Sequence, residues 1–326
     1  MNVDMVQAAS RIAPMPASVA AQAQDAVTPF ARGVTAAFYA TLREEVTQGN
    51  ALLTSNEQSR LQSHYPTMMS GDLYPVDLAA AIYVARRSPA VKAVIDTTGS
   101  VVFDAGCAFG SESFLFATLG AKVLAVDIDK EQVAIAKKRQ RYYEDIYQKP
   151  LDITLEVCDL NEFDPGAGNI SLTWIASVLA AIPDQDALLA RIYEATRPCG
   201  QVMITDMNLI NPLFFAREFL RRKRAQAVNP AFGREADFWS MFSRKGRRGA
   251  RYHRSTDGAV FDDVQFFTPS TIRQAIKDAG FRLNRSICSG FGLPNFGRFA
   301  VQFERFLGGI PGLNSMGYFY LASGSK

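Results

Sequence analysis

The sequence predicts an α/β protein built on a doubly wound, mostly parallel sheet. Three observations predict it. Residues 101–129 (VVFDAGCAFGSESFLFATLGAKVLAVDID) read as strand, glycine turn, helix, strand. Short apolar β runs then alternate with helical stretches as far as residue 206, which calls for a parallel sheet covered on both faces. Two late β runs close the chain with no crossover helix that would fix them as parallel.

The first unit sets the rest. Val101, Val102 and Phe103 make a short apolar strand, and the small residues of 104–110 make a tight turn. A helix follows over 111–119, with Gly120 as its stop. Residues 122–126 form a second strand, which ends on Asp127 and Asp129. Further strands are expected near 153–157, 170–175 and 201–206, with helices near 129–147 and 184–196 between them. A basic stretch on the 130–148 helix (Lys137, Lys138, Arg139, Arg141) reads as its solvated face.

Residues 1–27 are rich in Ala, Gln and Ser without an apolar period and read as a mobile segment. Residues 28–91 read as a helical cap in front of the sheet. Phe30, Val34, Phe38 and Leu42 recur every four residues behind a Thr28-Pro29 start. A short helix is expected over 51–60, a turn at 71–75 and a helix over 77–87 with basic residues at its end. Residues 92–326 complete the sheet domain.

Composition excludes several classes. The chain has 326 residues, 48% hydrophobic and 21% charged, with a net charge of +3, which is ordinary globular material. No apolar run approaches a membrane span, and the amino terminus lacks a secretory pattern, so a cytoplasmic location is expected. Cys107, Cys158, Cys199 and Cys288 share no C-x-x-C spacing and read as small core residues in a reducing compartment. With two histidines and no paired thiols, no metal site is expected.

The first unit carries chemistry. Gly106 and Gly110 have no Cβ, so backbone can approach a ligand, and the following helix offers free N–H groups. A carboxylate at the tip of the second strand can accept both hydroxyls of a ribose. The spacing Gly106-x-x-x-Gly110 is not the G-x-G-x-x-G of dinucleotide sites, and Asp104 would repel a pyrophosphate and attract an amine.

These motifs resemble those of class I S-adenosylmethionine-dependent methyltransferases. DAGCAFG at 104–110 matches their first motif with Ala108 for the central glycine; AVDID at 125–129 and VCDLNEF at 157–163 match the next two strand ends. SLTWIASVLAAIPD at 171–184, RPCGQVMITDMN at 197–208 and FTPSTIRQAIKDAGFRL at 267–283 match the later elements. The resemblance covers residues 92–210 and 262–326. It implies a Rossmann-like, seven-stranded sheet whose last strand is antiparallel, and S-adenosyl-L-methionine as cofactor. It implies that Asp104 faces the cofactor's amino group, that Gly106, Cys107 and Gly110 let backbone approach the methionine portion, and that Asp127 binds the ribose. Ile128 and Leu160 would sandwich the adenine, with Asp159 accepting from its amino group. Trp174 and Ile175 would lie near the reacting methyl, the alternative for Trp174 being a buried anchor under the cap. Related enzymes often carry a histidine where this chain has Ala181, so the base candidates are His64 and His253. Asp206 and Asn208, just past the fifth strand, are either acceptor contacts or ordinary strand-end turn residues.

Residues 211–261 break the family pattern. Residues 211–254 hold twelve Lys or Arg against three acids, with eight aromatics interleaved. A basic helical insertion after strand five must project over the ligand crevice. It is either a solvated insert that buries its own aromatics, or a lid for an anionic acceptor: a phosphate, a carboxylate, an acidic lipid headgroup or nucleic acid. A helix expected over 294–307 leaves core packing, homodimer formation and membrane-surface contact open.

The reading is a biosynthetic methyltransferase acting on O or N of a small or lipid-linked, anionic acceptor. The alternatives are an RNA methyltransferase, disfavoured by the lack of an RNA-binding motif, a nicotinamide-dependent oxidoreductase, and a non-catalytic nucleoside-binding protein.

Overall fold

The computed structural model describes residues 29–65, 68, 76–182, 184–208, 210–211, 216, 251–255, 258–262, 267–289, 317 and 319–326. The cap supplies helices α1 (Pro29–Gln48), α2 (Ser55–His64) and α3 (Val76–Ile95). The sheet domain continues with β1 (Val101–Ala105), α4 (Ser111–Thr118), β2 (Lys122–Asp127), α5 (Lys130–Tyr147), β3 (Ile153–Val157) and β4 (Ile170–Ala176). A 3-10 turn (Leu179–Ala181), α6 (Gln185–Ala195) and β5 (Thr196–Met207) follow. Then come β6 (Arg251–Ser255), β7 (Gly258–Asp262), α7 (Pro269–Asp278), β8 (Arg282–Ser289) and β9 (Phe319–Ser325).

Seven strands form one sheet in the order β3-β2-β1-β4-β5-β9-β8. The first five pair in parallel, while β9 runs antiparallel to both β5 and β8. The order reverses between β1 and β4, so a crevice opens above their carboxyl ends. Successive strand residues face opposite sides, and two cores result. Val102, Val123, Leu172 and Trp174 pack with Phe38, Val91, Phe116 and Tyr143, under the cap and α4–α5. Phe103, Ile175, Val202 and Ile204 pack with Leu189, Ile192, Ile272 and Ile276 of α6 and α7.

The structure differs from expectation at several elements. Helix α2 starts later than 51 because Thr54 caps it: Thr54 accepts from the Glu57 N–H while the Glu57 carboxylate accepts from the Thr54 N–H (3.3 and 2.9 Å), the reciprocal pair of a capping box. Helix α3 runs past Arg87 and through Pro89. A proline costs an internal bond there, and buried Ala90, Val91 and Val94 offset it. The end of the basic insertion is a β hairpin, β6–β7, where no strand was expected; the Asp257-Gly258 pair in sequence is a hairpin signal. Cys199 is exposed with φ 64 at the irregularity where β5 shifts register against β4, and is not a core residue. The rest of the insertion apart from Asn211 and Ala216, residues 1–28, the 71–75 turn with Tyr74, and the 294–307 helix lie outside the described residues.

Arg139 is not on a solvated face. It is fully buried and paired to the equally buried Glu45 of α1 (2.6 Å). Tyr143 and Asn50 also donate to the Glu45 carboxylate (both 2.9 Å), and Arg139 Nη1 donates to the Phe109 carbonyl and to Ser111 (3.1 Å). The pair ties the cap to the glycine turn. Among the described residues, no helix is long and apolar enough to cross a membrane.

Candidate active site

The turn after β1 is built for close approach. Gly106 has φ 78, and a Cβ there would lie 2.7 Å from Val178 Cγ2. Both the Gly106 and the Cys107 N–H donate to the Val126 carbonyl (2.8 and 2.9 Å), which ties the turn to the end of β2. Ala108, where the family has its central glycine, adopts φ 48, a left-handed conformation that costs a residue with a Cβ about 1–2 kcal/mol. Gly110 takes φ 80 as the residue before α4, and a Cβ would meet Phe114 Cζ at 2.8 Å. Gly106→Ala is expected to lower stability by about 1–3 kcal/mol, from overpacking and the positive φ together. Thermal denaturation checks it, and an unchanged melting temperature would contradict the geometry.

A cavity of about 570 Å³ opens above this turn, within the usual range for small-molecule sites. Asp104, Gly106, Cys107, Asp127, Ile128, Asp159 and Leu160 all line it. Asp127 is held by two backbone donors, Ala108 N–H to Oδ2 (2.8 Å) and Asp129 N–H to Oδ1 (2.9 Å), and each oxygen keeps acceptor capacity. Burial raises its pKa. Ile128 is 63% exposed beside it. The Asp159 carboxylate accepts from the backbone and side-chain N–H groups of Asn161 (2.8 and 2.7 Å). Asp104 lies at the floor, 3% exposed, and accepts from Ser113 Oγ (2.5 Å). Burial, then the nearby Glu112 carboxylate, push it up to about 7. Burial also raises the Cys107 thiol well above its usual value, so it is an inert wall residue.

Three expected residues lie elsewhere. Gly110 seats α4 and does not line the cavity. Trp174 and Ile175 do not line it either. Both are fully buried, Trp174 against Phe116 (ring centroids 6.0 Å apart) and Ile175 in the opposite core. They lie within β4, where alternation sends each into a core. The wall there comes from the residues at and past the strand's end, Ala176, Ser177 and Val178.

The two histidines separate. His64 lines the cavity and packs edge-on against Tyr65 and Phe109 (4.7 and 5.0 Å). Its ring is exposed at the cavity mouth, and desolvation by the rings packed against it lowers its pKa. His253 is on β6, paired in register with Val260 in the separate hairpin, and its side chain lies outside the described residues. Asp206 is buried at the end of β5, accepts from the Met207 N–H (2.7 Å), and is pushed up to about 6 by burial.

The structure adds residues that sequence reasoning left as helix-end charges. Arg86 and Arg87 of α3 line the cavity, as does Glu112 in the first turn of α4. Arg87 pairs with Glu112 and stacks 3.7 Å over the Tyr83 ring. The signal was available: both arginines follow an almost wholly apolar run, AAAIYVA, whose helix has no face to give to solvent.

The cradle fits an adenosyl amino acid. It has a glycine that a Cβ would fill, a strand-end carboxylate with acceptor capacity left, an exposed aliphatic residue beside it and a second strand-end acid.

Comparison with known proteins agrees with the geometry. Residues 96–244 match the family model described as a methyltransferase domain. A search of curated proteins gave no match. Among solved structures, an S-adenosylmethionine-dependent methyltransferase from Mesorhizobium loti is 16% identical, with 74% of this chain and 98% of that one covered at a TM-score of 0.44. Magnesium protoporphyrin IX methyltransferase from Synechocystis PCC 6803, solved with bound SAH, is 15% identical, with 88% and 99% covered at 0.47. Phosphoethanolamine N-methyltransferase 2 from Haemonchus contortus, solved with S-adenosyl-L-methionine, is 17% identical, with 71% and 49% covered at 0.40. The domain match, the motif order and the sheet topology agree: residues 96–244 are similar to a methyltransferase domain, set on a Rossmann-like sheet.

Proposed function

We propose that this chain is an S-adenosylmethionine-dependent methyltransferase, and that it methylates O or N of a small or lipid-linked acceptor that carries an anionic group. The observation that carries this reading is Arg86, which lines the cavity nine-tenths buried and outside any ion pair among the described residues, while Arg87 beside it is paired to Glu112. Guanidinium groups that far from water favour an oxyanion partner. The excess of Lys and Arg over residues 211–254 points the same way.

The cofactor supplies a methyl group already activated by its sulfonium charge. The chain's part is to position and to exclude water. In this reading Asp127 accepts the ribose hydroxyls, Ile128 and Leu160 flank the adenine, and Asp159 accepts from its amino group. Asp104 faces the amino group of the methionine portion. His64 accepts a hydrogen bond from the acceptor's hydroxyl or amine. An imidazole whose pKa is lowered is a weak base in the ground state. It suffices once transfer is under way, because the acceptor's proton becomes strongly acidic as the new bond to carbon forms.

One pH effect follows. In the free protein the Asp104 carboxyl is half protonated near pH 7. An ammonium beside it favours the ionised form, so binding below that pH must expel a proton. Affinity for S-adenosylhomocysteine is expected to rise as pH increases through about 7 and then level off. Titrations in buffers of different ionisation enthalpy, between about pH 6 and 8, would show proton release at the lower end. A flat profile in the parent protein, or an unchanged one in Asp104→Asn, would contradict the placement.

The reading is tested by transfer of labelled methyl from S-adenosylmethionine to matched acceptors: aryl or alkyl carboxylates and phosphates that carry a free hydroxyl or amine, and their neutral esters. Preference for the charged member of each pair supports it. Equal use of both, or transfer to bulk RNA alone, would overturn it.

A further inference from the structure

The two arginines in the cavity wall are in different situations. Arg87 has a carboxylate partner, Glu112, and its charge is compensated. Arg86 has none: it takes part in no ion pair among the described residues, and only its Nε donates, to Thr205 Oγ1 at 3.0 Å. Its guanidinium carbon lies 3.9 Å over the Phe319 ring. The group is therefore gripped along one edge and one face, while Arg86 as a whole is 8% exposed and lines the cavity. Burial, then repulsion from Arg87, lower its pKa to about 9, which still leaves it charged at neutral pH. Other charged or titratable groups around it are Asp206, Glu112 and Tyr83. Asp206 makes no ion pair to it, and the Tyr83 hydroxyl has no hydrogen-bond partner. A buried cation left without an anion is costly.

Its place on the sheet separates it from the cofactor. Thr205 is near the carboxyl end of β5 and Phe319 begins β9. Asp127 ends β2, three strands away across β1 and β4, or about 14 Å at the usual strand spacing. The methionine portion belongs above β1 and the start of α4, where Arg87 and Glu112 are. Arg86 lies beyond it, on the acceptor side of the β4 strand end.

We propose that Arg86 is the specificity-determining residue of the acceptor subsite, and that its free Nη edge takes the acceptor's carboxylate or phosphate in a two-point contact. This rests on the anionic-acceptor reading. Thr205 and Phe319 serve as positioning residues that fix the fork before the acceptor arrives.

The test uses the full chain saturated with S-adenosylhomocysteine, with benzoate, phenyl phosphate and benzyl alcohol as probes followed by saturation-transfer NMR. The parent protein is expected to bind one or both anions and not the alcohol. Arg86→Met is expected to weaken the anion at least about tenfold, with S-adenosylhomocysteine affinity held within about twofold. Arg86→Lys keeps the charge without the fork and is expected to fall between them. It carries the test alone should the methionine variant not fold. Unchanged anion binding in either folded variant overturns the assignment. A parallel loss of S-adenosylhomocysteine also overturns it, by giving Arg86 to the cofactor's own carboxylate. A parent protein that binds the alcohol as tightly as the anions, or binds neither anion, removes the anionic-acceptor reading, and this inference with it.

Discussion

Asp127→Ala is expected to weaken S-adenosylhomocysteine binding by at least about a hundredfold. Two hydrogen bonds from ribose hydroxyls to a carboxylate are worth about 3–6 kcal/mol together, and about 1.4 kcal/mol is a factor of ten in affinity. The variant also frees the Ala108 and Asp129 N–H groups that Asp127 now accepts from. Loss of that order in the glycine turn adds to the loss of the ligand bonds. Asp127→Asn separates the two effects. It keeps one acceptor oxygen and should retain part of the affinity, with little change in melting temperature. Calorimetric titration measures both variants. Unchanged affinity in Asp127→Ala would remove the ribose from the end of β2.

Arg139→Met is expected to lower the folding free energy by about 3–5 kcal/mol, because it leaves the Glu45 carboxylate buried without its cation. Burial alone would raise the pKa of Glu45. Arg139, Asn50 and Tyr143 reverse that and hold it below the usual carboxylate value. A carboxyl whose folded pKa is depressed adds stability above its unfolded pKa, and that stability is lost as pH falls through the folded value. So the gap between the parent protein and Arg139→Met should narrow in acid. The double variant Glu45→Leu with Arg139→Met should lose less than the sum of the two single variants, since a buried pair replaced by apolar groups is often close to neutral. Denaturant unfolding at two pH values checks both statements. Additive losses would mean that the two residues act independently. Arg139 also holds the Phe109 carbonyl and Ser111, so the single variant should cost some cofactor affinity as well.

Those two residues show what the sequence could and could not display. The first βαβ unit was legible because its signals are local: an apolar run, small turn residues, a helix, and an acid at the next strand's end. Asp104, Gly106, Asp127 and Asp159 could each be placed from their own neighbours. Arg139 could not, because its partner is 94 residues away. A run of basic residues on one helix reads as solvated until the packing is known. A trace was present: Arg139 falls between Ala136 and Tyr143 on the buried stripe of α5, and Glu45 between Leu42 and Val46 on that of α1. Opposite charges on two apolar stripes are a reason to expect a buried pair.

Trp174 and Ile175 lie in the cores and not at the cavity for a different reason. Motif position placed them at the strand's end, but register decides where β4 stops, and Ala176 still pairs with Thr205 on β5. The residues that reach the cavity are therefore one to three positions later. Arg86 and Arg87 were hidden by a helix that continues through Pro89, where local rules end it. Once the helix is known to continue, they are no longer end charges but mid-helix cations with no water to face.

The most direct test of the account is calorimetric titration of the purified chain with S-adenosylhomocysteine, with NADH as the parallel ligand. The account predicts saturable micromolar binding of the first and no binding of the second. Binding of NADH, or of neither, would contradict the assignment of the cavity above β1 and β2 to an adenosyl amino acid.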